Sequence, residues 1–345
     1  MLDGNTDIDK VTSIYAGKFR RYHNESWLRR FIDIKTNLLN LRDAVFVVVG
    51  FFQSLRLLRK YRPQAVFLKG GFVGVPVGLA AGARRLPIIT HDSDAVAGLA
   101  NRLVSRLTLL HTTALPADYY SYPKNKVKQV GVIVAQKYQP VSEAGVIEAK
   151  QEIGIPKDAT LLLITGGSTG AIAVNEAIER LYKELFAKYS NLYIIHQTGK
   201  GKAGEPSKYA DYSRLQRIEL LKDMHLYSAA ADIIVMRAGA NTLAEFAMQA
   251  KACIVIPSPH LPGGHQLLNA AYFQERDAAV VLDQAEIEMS PQLLSSHIAT
   301  LIKDKQRREQ IAKNMHKEAQ RNAGQLLSDE IYQLASDRSS DASKK

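Results

Sequence analysis

From Ala65 onward the chain alternates short apolar runs with longer amphipathic segments: AVFL, LPIIT, LTLLH, VKQVGV, TLLLIT, NLYIIH, ADIIVM, ACIVIP and AAVVL. Runs of four to six residues rich in Val, Ile and Leu, without polar alternation, belong to strands buried on both faces, as in a parallel sheet covered by helices. The intervening helical segments supply the crossovers. The expected fold is therefore α/β, with two Rossmann-like doubly wound domains. The alternation breaks between about 131 and 158, where prolines bracket a short helical pattern. This divides the chain into a first domain over 1–140, a linker over 141–157, a second domain over 158–330, and a tail over 331–345 expected to be disordered. The first domain departs from the doubly wound pattern. Its first 60 residues offer a weak strand at VTSIYAG and a long amphipathic stretch from about Glu25 to Lys60, with no strand followed by a glycine-rich turn. The first βα unit is expected to be lacking, because the true start lies upstream or because the unit was lost.

Charge sharpens this division. Residues 1–140 carry 21 Lys/Arg against 9 Asp/Glu, a net of +12, whereas residues 141–345 carry 24 against 25, a net of −1. Such an excess fits a nucleic acid, an anionic membrane surface or a merely solvated face. No nucleic-acid-binding motif accompanies it, so nucleic acid is not expected as a partner. The longest apolar stretch, AVFVVVGFF at 44–52, falls short of the roughly 20 residues that span a bilayer, so no crossing is expected. A single cysteine, Cys253, inside an apolar run, rules out an internal disulfide and reads as core. With no secretion signal visible, the cytoplasm is the expected compartment.

Four junctions carry chemistry. LLLITGGSTGAIAVNEAIERL runs strand, glycine turn, helix, and places Ser168 where backbone amides and a helix N-terminus favour an anion; a turn that binds nothing is the alternative. ADIIVMRAGANTLAE repeats this geometry, with Arg237 as a permanent cation and a turn on Gly239. Thr242 and Glu245 have capping-box spacing, but a carboxylate there could instead accept hydrogen bonds from a vicinal diol. PSPHLPGGHQLLNA puts His265, Gln266 and Asn269 at a loop-to-helix junction. Two histidines there with no third ligand make a poor zinc site, so no metal or cofactor is expected. Finally, VFLKGGFVGVPVGLAAG and LPIITHDSDAVAGLANRLVSR place a further Gly-Gly turn, then His91, Asp92 and Asp94 at a strand mouth, a grouping suited to acid/base work or to a structural role.

Together with AGKFRRY, HQTGKG and HQLLNA, these motifs follow one another in the order found in the MurG family of GT-B glycosyltransferases, which the chain resembles from Ala16 to about Ala279. The resemblance implies inverting transfer of N-acetylglucosamine from UDP-N-acetylglucosamine to the lipid-linked muramyl-pentapeptide of peptidoglycan synthesis, at the inner face of the plasma membrane. It implies a donor site with Ser168 on the diphosphate, the segment Ala240, Asn241, Thr242, Leu243, Ala244 and Glu245 around the nucleotide with Glu245 on the ribose, Leu221 and Met224 beside the uracil, and Gln266 on the sugar. Phe72 and Asp94 would face the acceptor. Three positions depart from the family pattern: Asp94 replaces Asn, Ala97 replaces Pro and Ala135 replaces Arg. The family's first glycine-rich loop, with its histidine, has no counterpart. The base is then one of His91, Asp92 and Asp94. Rival readings are a UDP-N-acetylglucosamine 2-epimerase, and a donor-binding subunit or inactive homologue completed by a partner chain.

Overall fold

The computed structural model describes residues 8–18 and 33–342. Two compact units emerge: one comprises the chain up to Asp92, Ala97–Val130 and the stretch from Gln325, and the other Ser93–Val96 and Gly131–Gly324.

The first unit contains α1 (Ile34–Tyr61), β1 (Val66–Leu68), α2 (Gly74–Ala83), β2 (Ile88–Asp92), α3 (Leu99–Val104), β3 (Leu110–Thr113) and β4 (Val127–Gln129). Its strands are all parallel, in the spatial order β1-β2-β3-β4. Val66, Leu68 and Ile88 form one face of a core closed by Leu58 of α1, Ala80 and Ala81 of α2, and Val104 of α3. Helix α1 starts where Asp33 accepts from the Thr36 amide and stops where Arg62 turns left-handed, with Arg59 and Lys60 in its last turn.

Two expectations for this region change. VTSIYAG forms no strand: among the described residues it is irregular, and the Tyr15 amide donates to Gln53 of α1. AVFVVVGFF is not an isolated short run, because helix α1 continues through the polar residues on both sides of it. The segment Thr36–Tyr61 is long and apolar enough, by length and composition only, to cross a bilayer, and most of its apolar stretch is not buried. Leu38, Leu41, Val45, Val48 and Phe52, spaced 3-4-3-4, form an exposed apolar stripe along it.

The second unit contains α4 (Glu143–Glu152), β5 (Thr160–Thr165), α5 (Ile172–Glu179), α6 (Tyr182–Lys188), β6 (Leu192–Gln197), β7 (Leu215–Ile218), α7 (Met224–Ala230), β8 (Ile233–Met236), α8 (Ala240–Met248), β9 (Cys253–Val255), α9 (His265–Gln274), β10 (Val280–Val281), α10 (Gln284–Met289), α11 (Pro291–Lys303) and α12 (Lys305–Lys317). The segment read as a linker thus includes helix α4. The chain closes with α13 (Ala323–Ala342), so the stretch expected to be a disordered tail is helical to Ala342. Lys128 of β4 pairs with Glu330 of α13, within the first unit. The sheet of the second unit is wholly parallel, ordered β10-β9-β8-β5-β6-β7. Leu161 to Ile164 at its centre are fully buried, as the unbroken apolar run requires, and Cys253 is buried core. After β5 the chain builds outward through β6 and β7, then returns to lay β8 on the other side of β5. The C-terminal ends of β5 and β8 therefore diverge and open a crevice at a topological switch point.

Three histidines are sealed into the two sheets. His91 bonds Thr112, His111 bonds Thr90, and His196 lies between Tyr182 and Asn175. Burial, reinforced by Lys69 and Lys126 respectively, pushes His91 and His111 down to about 4; burial and then Arg217 push His196 down to about 3. Each is neutral in the fold while the unfolded chain takes up a proton near its ordinary value of about 6.5, so stability is lost as pH falls from about 6.5 toward these lowered values. Each histidine contributes about 1.4 kcal/mol per pH unit in that window and nothing above it. Denaturant unfolding at pH 7 and pH 5 is expected to show this decline, with His196→Gln removing about a third of the slope that the three histidines give. A pH-independent midpoint across that range contradicts the assignment.

Candidate functional site

At the end of β5, Gly166-Gly167-Ser168-Thr169-Gly170 turns into α5. Gly167 and Gly170 have φ of 79° and 68°, in the left-handed region that glycine adopts without steric cost. A Cβ on Gly170 would also stand 1.9 Å from the Thr198 carbonyl oxygen. The loop is tied down from several sides. The Gly167 amide donates to Thr165 Oγ1, Gln197 Nε2 donates to the Gly167 carbonyl at 2.9 Å, and Lys202 Nζ donates to the Thr169 carbonyl at 2.7 Å. No side chain caps the start of α5.

Across the crevice, β8 ends at Met236, and Arg237 donates to the Ile256 carbonyl at 3.0 Å. Burial works against the arginine charge, and nearby Glu288 offsets part of that effect. Gly239 is the N-cap of α8 and supplies no side chain. The capping-box alternative is not what forms: Thr242 and Glu245 lie inside the helix, because α8 begins two residues before Thr242. The first amides of α8, at Ala240 and Asn241, therefore keep their donor capacity for a ligand. Thr165 to Thr169, Met236, Arg237, Gly239, Thr242 and Gln266 line a cavity of about 250 Å³ at this point. The N-terminus of α8, a half-buried arginine and the hydroxyls of Thr165, Ser168, Thr169 and Thr242 in one crevice suit a multiply charged anion.

Of the other predicted donor residues, Leu221, Met224, Ala240, Asn241, Leu243, Ala244, Glu245, His265 and Asn269 are not part of this cavity's lining. Leu243 is buried core, and Ala244 lies between it and Glu245 on α8. Glu245 is half-buried, and burial raises its carboxyl above the ordinary range while the Tyr138 hydroxyl and Lys137 act the other way. Leu221 is buried, its amide facing Gln197 Oε1, and Met224 opens α7. His265 begins α9. Gln266 Oε1 accepts from the Ser258 amide at 2.9 Å. Asn269 is 3% exposed and makes three bonds: its Nδ2 donates to Asp94 Oδ1 at 2.9 Å and to the Ala238 carbonyl, and its Oδ1 accepts from the Ala95 amide. Asp94 is thereby held beside the end of β8, in the same unit as the crevice.

The other two acid/base candidates are placed differently. His91 is 1% exposed, with Nδ1 on Thr112 and Nε2 without a partner among the described residues. Asp92 is 5% exposed; its Oδ1 accepts from the Gly98 amide and from Asn101, and its Oδ2 from the Tyr122 hydroxyl. Phe72 is 42% exposed and lines a separate cavity of about 280 Å³ in the first unit, with Gly71, Gly98 and Leu103.

Sequence reasoning assigned no role to Gln197, which links the glycine loop to Leu221, to Lys202, or to Tyr138, buried and engaged with Glu245. Gln197 and Lys202 fall in and beside the quoted HQTGKG stretch, so a signal was present for them. Tyr138 had none.

Residues 32–109 match the model of the glycosyltransferase family 28 N-terminal domain, and residues 161–327 that of its C-terminal domain. Among similar proteins is the UDP-N-acetylglucosamine–N-acetylmuramyl-(pentapeptide) pyrophosphoryl-undecaprenol N-acetylglucosamine transferase of Lachnospira eligens, 33% identical over 94% of this chain and 84% of its own. The counterpart from Oceanobacillus iheyensis is 33% identical over 86% of this chain and 77% of its own. Among solved structures, Acinetobacter baumannii MurG superposes with a TM-score of 0.67 at 28% identity, covering 84% of this chain and 79% of that one. A UDP-GlcNAc 2-epimerase from Neisseria meningitidis, bound to UDP-GlcNAc, gives 0.59 at 15% identity, covering 84% and 81%, a likeness of fold alone.

Gly170→Ala tests the loop. The added methyl meets the Thr198 carbonyl at an unfavourable positive φ, so the loop must shift. Calorimetry is expected to show UDP affinity reduced by at least about tenfold, while Gly154→Ala, also at positive φ but open to space and remote from the crevice, leaves it unchanged. Equal affinities in the two variants contradict this role of the loop.

Proposed function

Because the chain belongs to glycosyltransferase family 28, we propose that it transfers N-acetylglucosamine from UDP-N-acetylglucosamine to a lipid-linked muramyl-pentapeptide, with inversion at the anomeric carbon. The observation carrying this reading is the crevice between β5 and β8, where the GGSTG loop, Arg237 and the uncapped start of α8 converge on a single cavity. The acceptor hydroxyl attacks the anomeric carbon as the bond from that carbon to the diphosphate oxygen breaks. Negative charge grows on the departing UDP, and fixed amides with the half-buried Arg237 guanidinium stabilise it without reorganising. Glu245 takes the ribose hydroxyls, with Tyr138 against its carboxylate, and Leu221 and Met224 border the base.

The proton of the attacking hydroxyl goes to Asp94, a base particular to this chain because the family pattern has Asn at this position. Among the three candidates, His91 is sealed in its strand and Asp92 is committed to Gly98, Asn101 and Tyr122. Asp94 is half-buried at the strand mouth and fixed by Asn269. General-base removal costs roughly 10²- to 10⁴-fold in rate. Asp94→Asn is accordingly expected to lower kcat by that factor with UDP affinity retained, whereas His91→Gln leaves kcat within a few fold. Unchanged turnover in Asp94→Asn overturns this role. Appearance of the 2-epimer of UDP-N-acetylglucosamine as product overturns the transferase reading.

Work on a lipid acceptor requires the membrane surface, and the first unit supports docking at its inner face. The apolar stripe of α1 is exposed, and Arg42, Arg56, Arg59 and Lys60 share the same helix. Each cation near an anionic surface contributes about 1 kcal/mol. Vesicle pelleting is expected to rise with anionic lipid, fall with salt and drop in Val45→Asp/Val48→Asp. Binding indifferent to all three removes this docking mode.

A further inference from the structure

A second cavity, of about 470 Å³, opens on the other side of Arg237 within the same unit. It shares Gly166, Thr169, Arg237 and Gln266 with the donor crevice, so the two are neighbours across a common wall. None of the donor roles above uses its remaining lining.

Besides the Glu176 carboxylate on α5, Ser258 and Leu261, that lining falls into two chemical groups. One comes from the end of the glycine loop and the start of α5: Ala171, Ile172 and Ala173 at an N-terminus that no side chain caps, joined by Lys202, whose Nζ is anchored on the Thr169 carbonyl, and by His260. Unsatisfied amides and an ammonium together favour an anion. The other comes from α10. Gln284 is 7% exposed and donates through Nε2 to Glu288 at 2.7 Å, yet its Oε1 is buried with no hydrogen-bond partner. Buried acceptors without donors are uncommon in folded chains, and this one borders the cavity. An amide acceptor beside a carboxylate suits a ligand that brings hydroxyl donors.

We propose that this second cavity binds a sugar phosphate, its phosphate at the start of α5 and Lys202 and its hydroxyls against Gln284 and Glu288, alongside an occupied donor site. The volume fits a hexose-sized ring with a phosphate. The proposal rests on the donor-site reading, since it takes UDP to lie across the shared wall.

The test uses the full chain saturated with UDP-N-acetylglucosamine, so that the donor sugar position at Gln266 is filled, and titrated calorimetrically with N-acetylglucosamine 1-phosphate. One further equivalent is expected to bind in the presence of the donor. Lys202→Met should weaken that step by at least tenfold. Gln284→Leu, on the opposite wall, should weaken the sugar phosphate by a similar factor and leave inorganic phosphate unaffected, with UDP affinity retained. Should Lys202→Met also disturb UDP through the Thr169 contact, Gln284→Leu alone decides. No heat beyond the donor, displacement of the donor one for one, or wild-type affinity in Gln284→Leu overturns the second site while leaving the donor reading intact. Failure of UDP itself to bind overturns the donor reading instead.

Discussion

The arrangement on which the rest depends is the reversal of strand order at β5. Because β6 and β7 lie on one side of it and β8, β9 and β10 on the other, the loops leaving β5 and β8 turn in opposite directions and a gap opens between them. Two helices begin at that gap, α5 and α8, and neither has a capping side chain. Uncapped amides are ordinarily a local cost. Here they form a preorganised donor array, and Arg237 adds a charge whose desolvation is only partly offset by Glu288. In the proposed donor mode a diphosphate takes the α8 amides and Arg237, and the α5 amides face the neighbouring cavity.

Around this core the chain spends buried polar contacts on holding loops still. Gln197 spans the glycine loop and Leu221, while Asn269 binds the Asp94 and Ala95 positions to the end of β8. Each is a side chain used at both its donor and its acceptor end, which leaves little freedom to rotate. Where the charge of a transition state must be met without rearrangement, such rigidity is a catalytic property as well as a structural one.

The second unit was legible because its strands are fully buried, and burial on both faces writes an unbroken apolar run into the sequence. TLLLIT and ADIIVM could be read directly, as could the glycine turn after the first and the arginine after the second. The first unit was harder. Helix α1 exposes a stripe of large apolar side chains, so neither its length nor its face follows from periodicity alone, and VTSIYAG has strand-like composition without a strand to pair with. The capping-box spacing of Thr242 and Glu245 misled for another reason: the helix starts at Ala240, and an N-cap glycine leaves no side-chain trace of that start. Roles for His91, Asp92 and Asp94 could not be separated from their order in the chain. Only burial and partners distinguish a strand-locked imidazole and a thrice-bonded carboxylate from Asp94, which Asn269 fixes beside the crevice.

The central claim is that backbone amides at two strand ends, rather than a metal or a charged loop, receive the diphosphate. Amide chemical shifts followed by NMR during titration with UDP address this directly. The largest changes are predicted at Gly167 to Gly170 and at Ala240 to Thr242, the amides facing the crevice. Saturable binding that leaves both groups unmoved, with its changes elsewhere in the chain, would contradict the account.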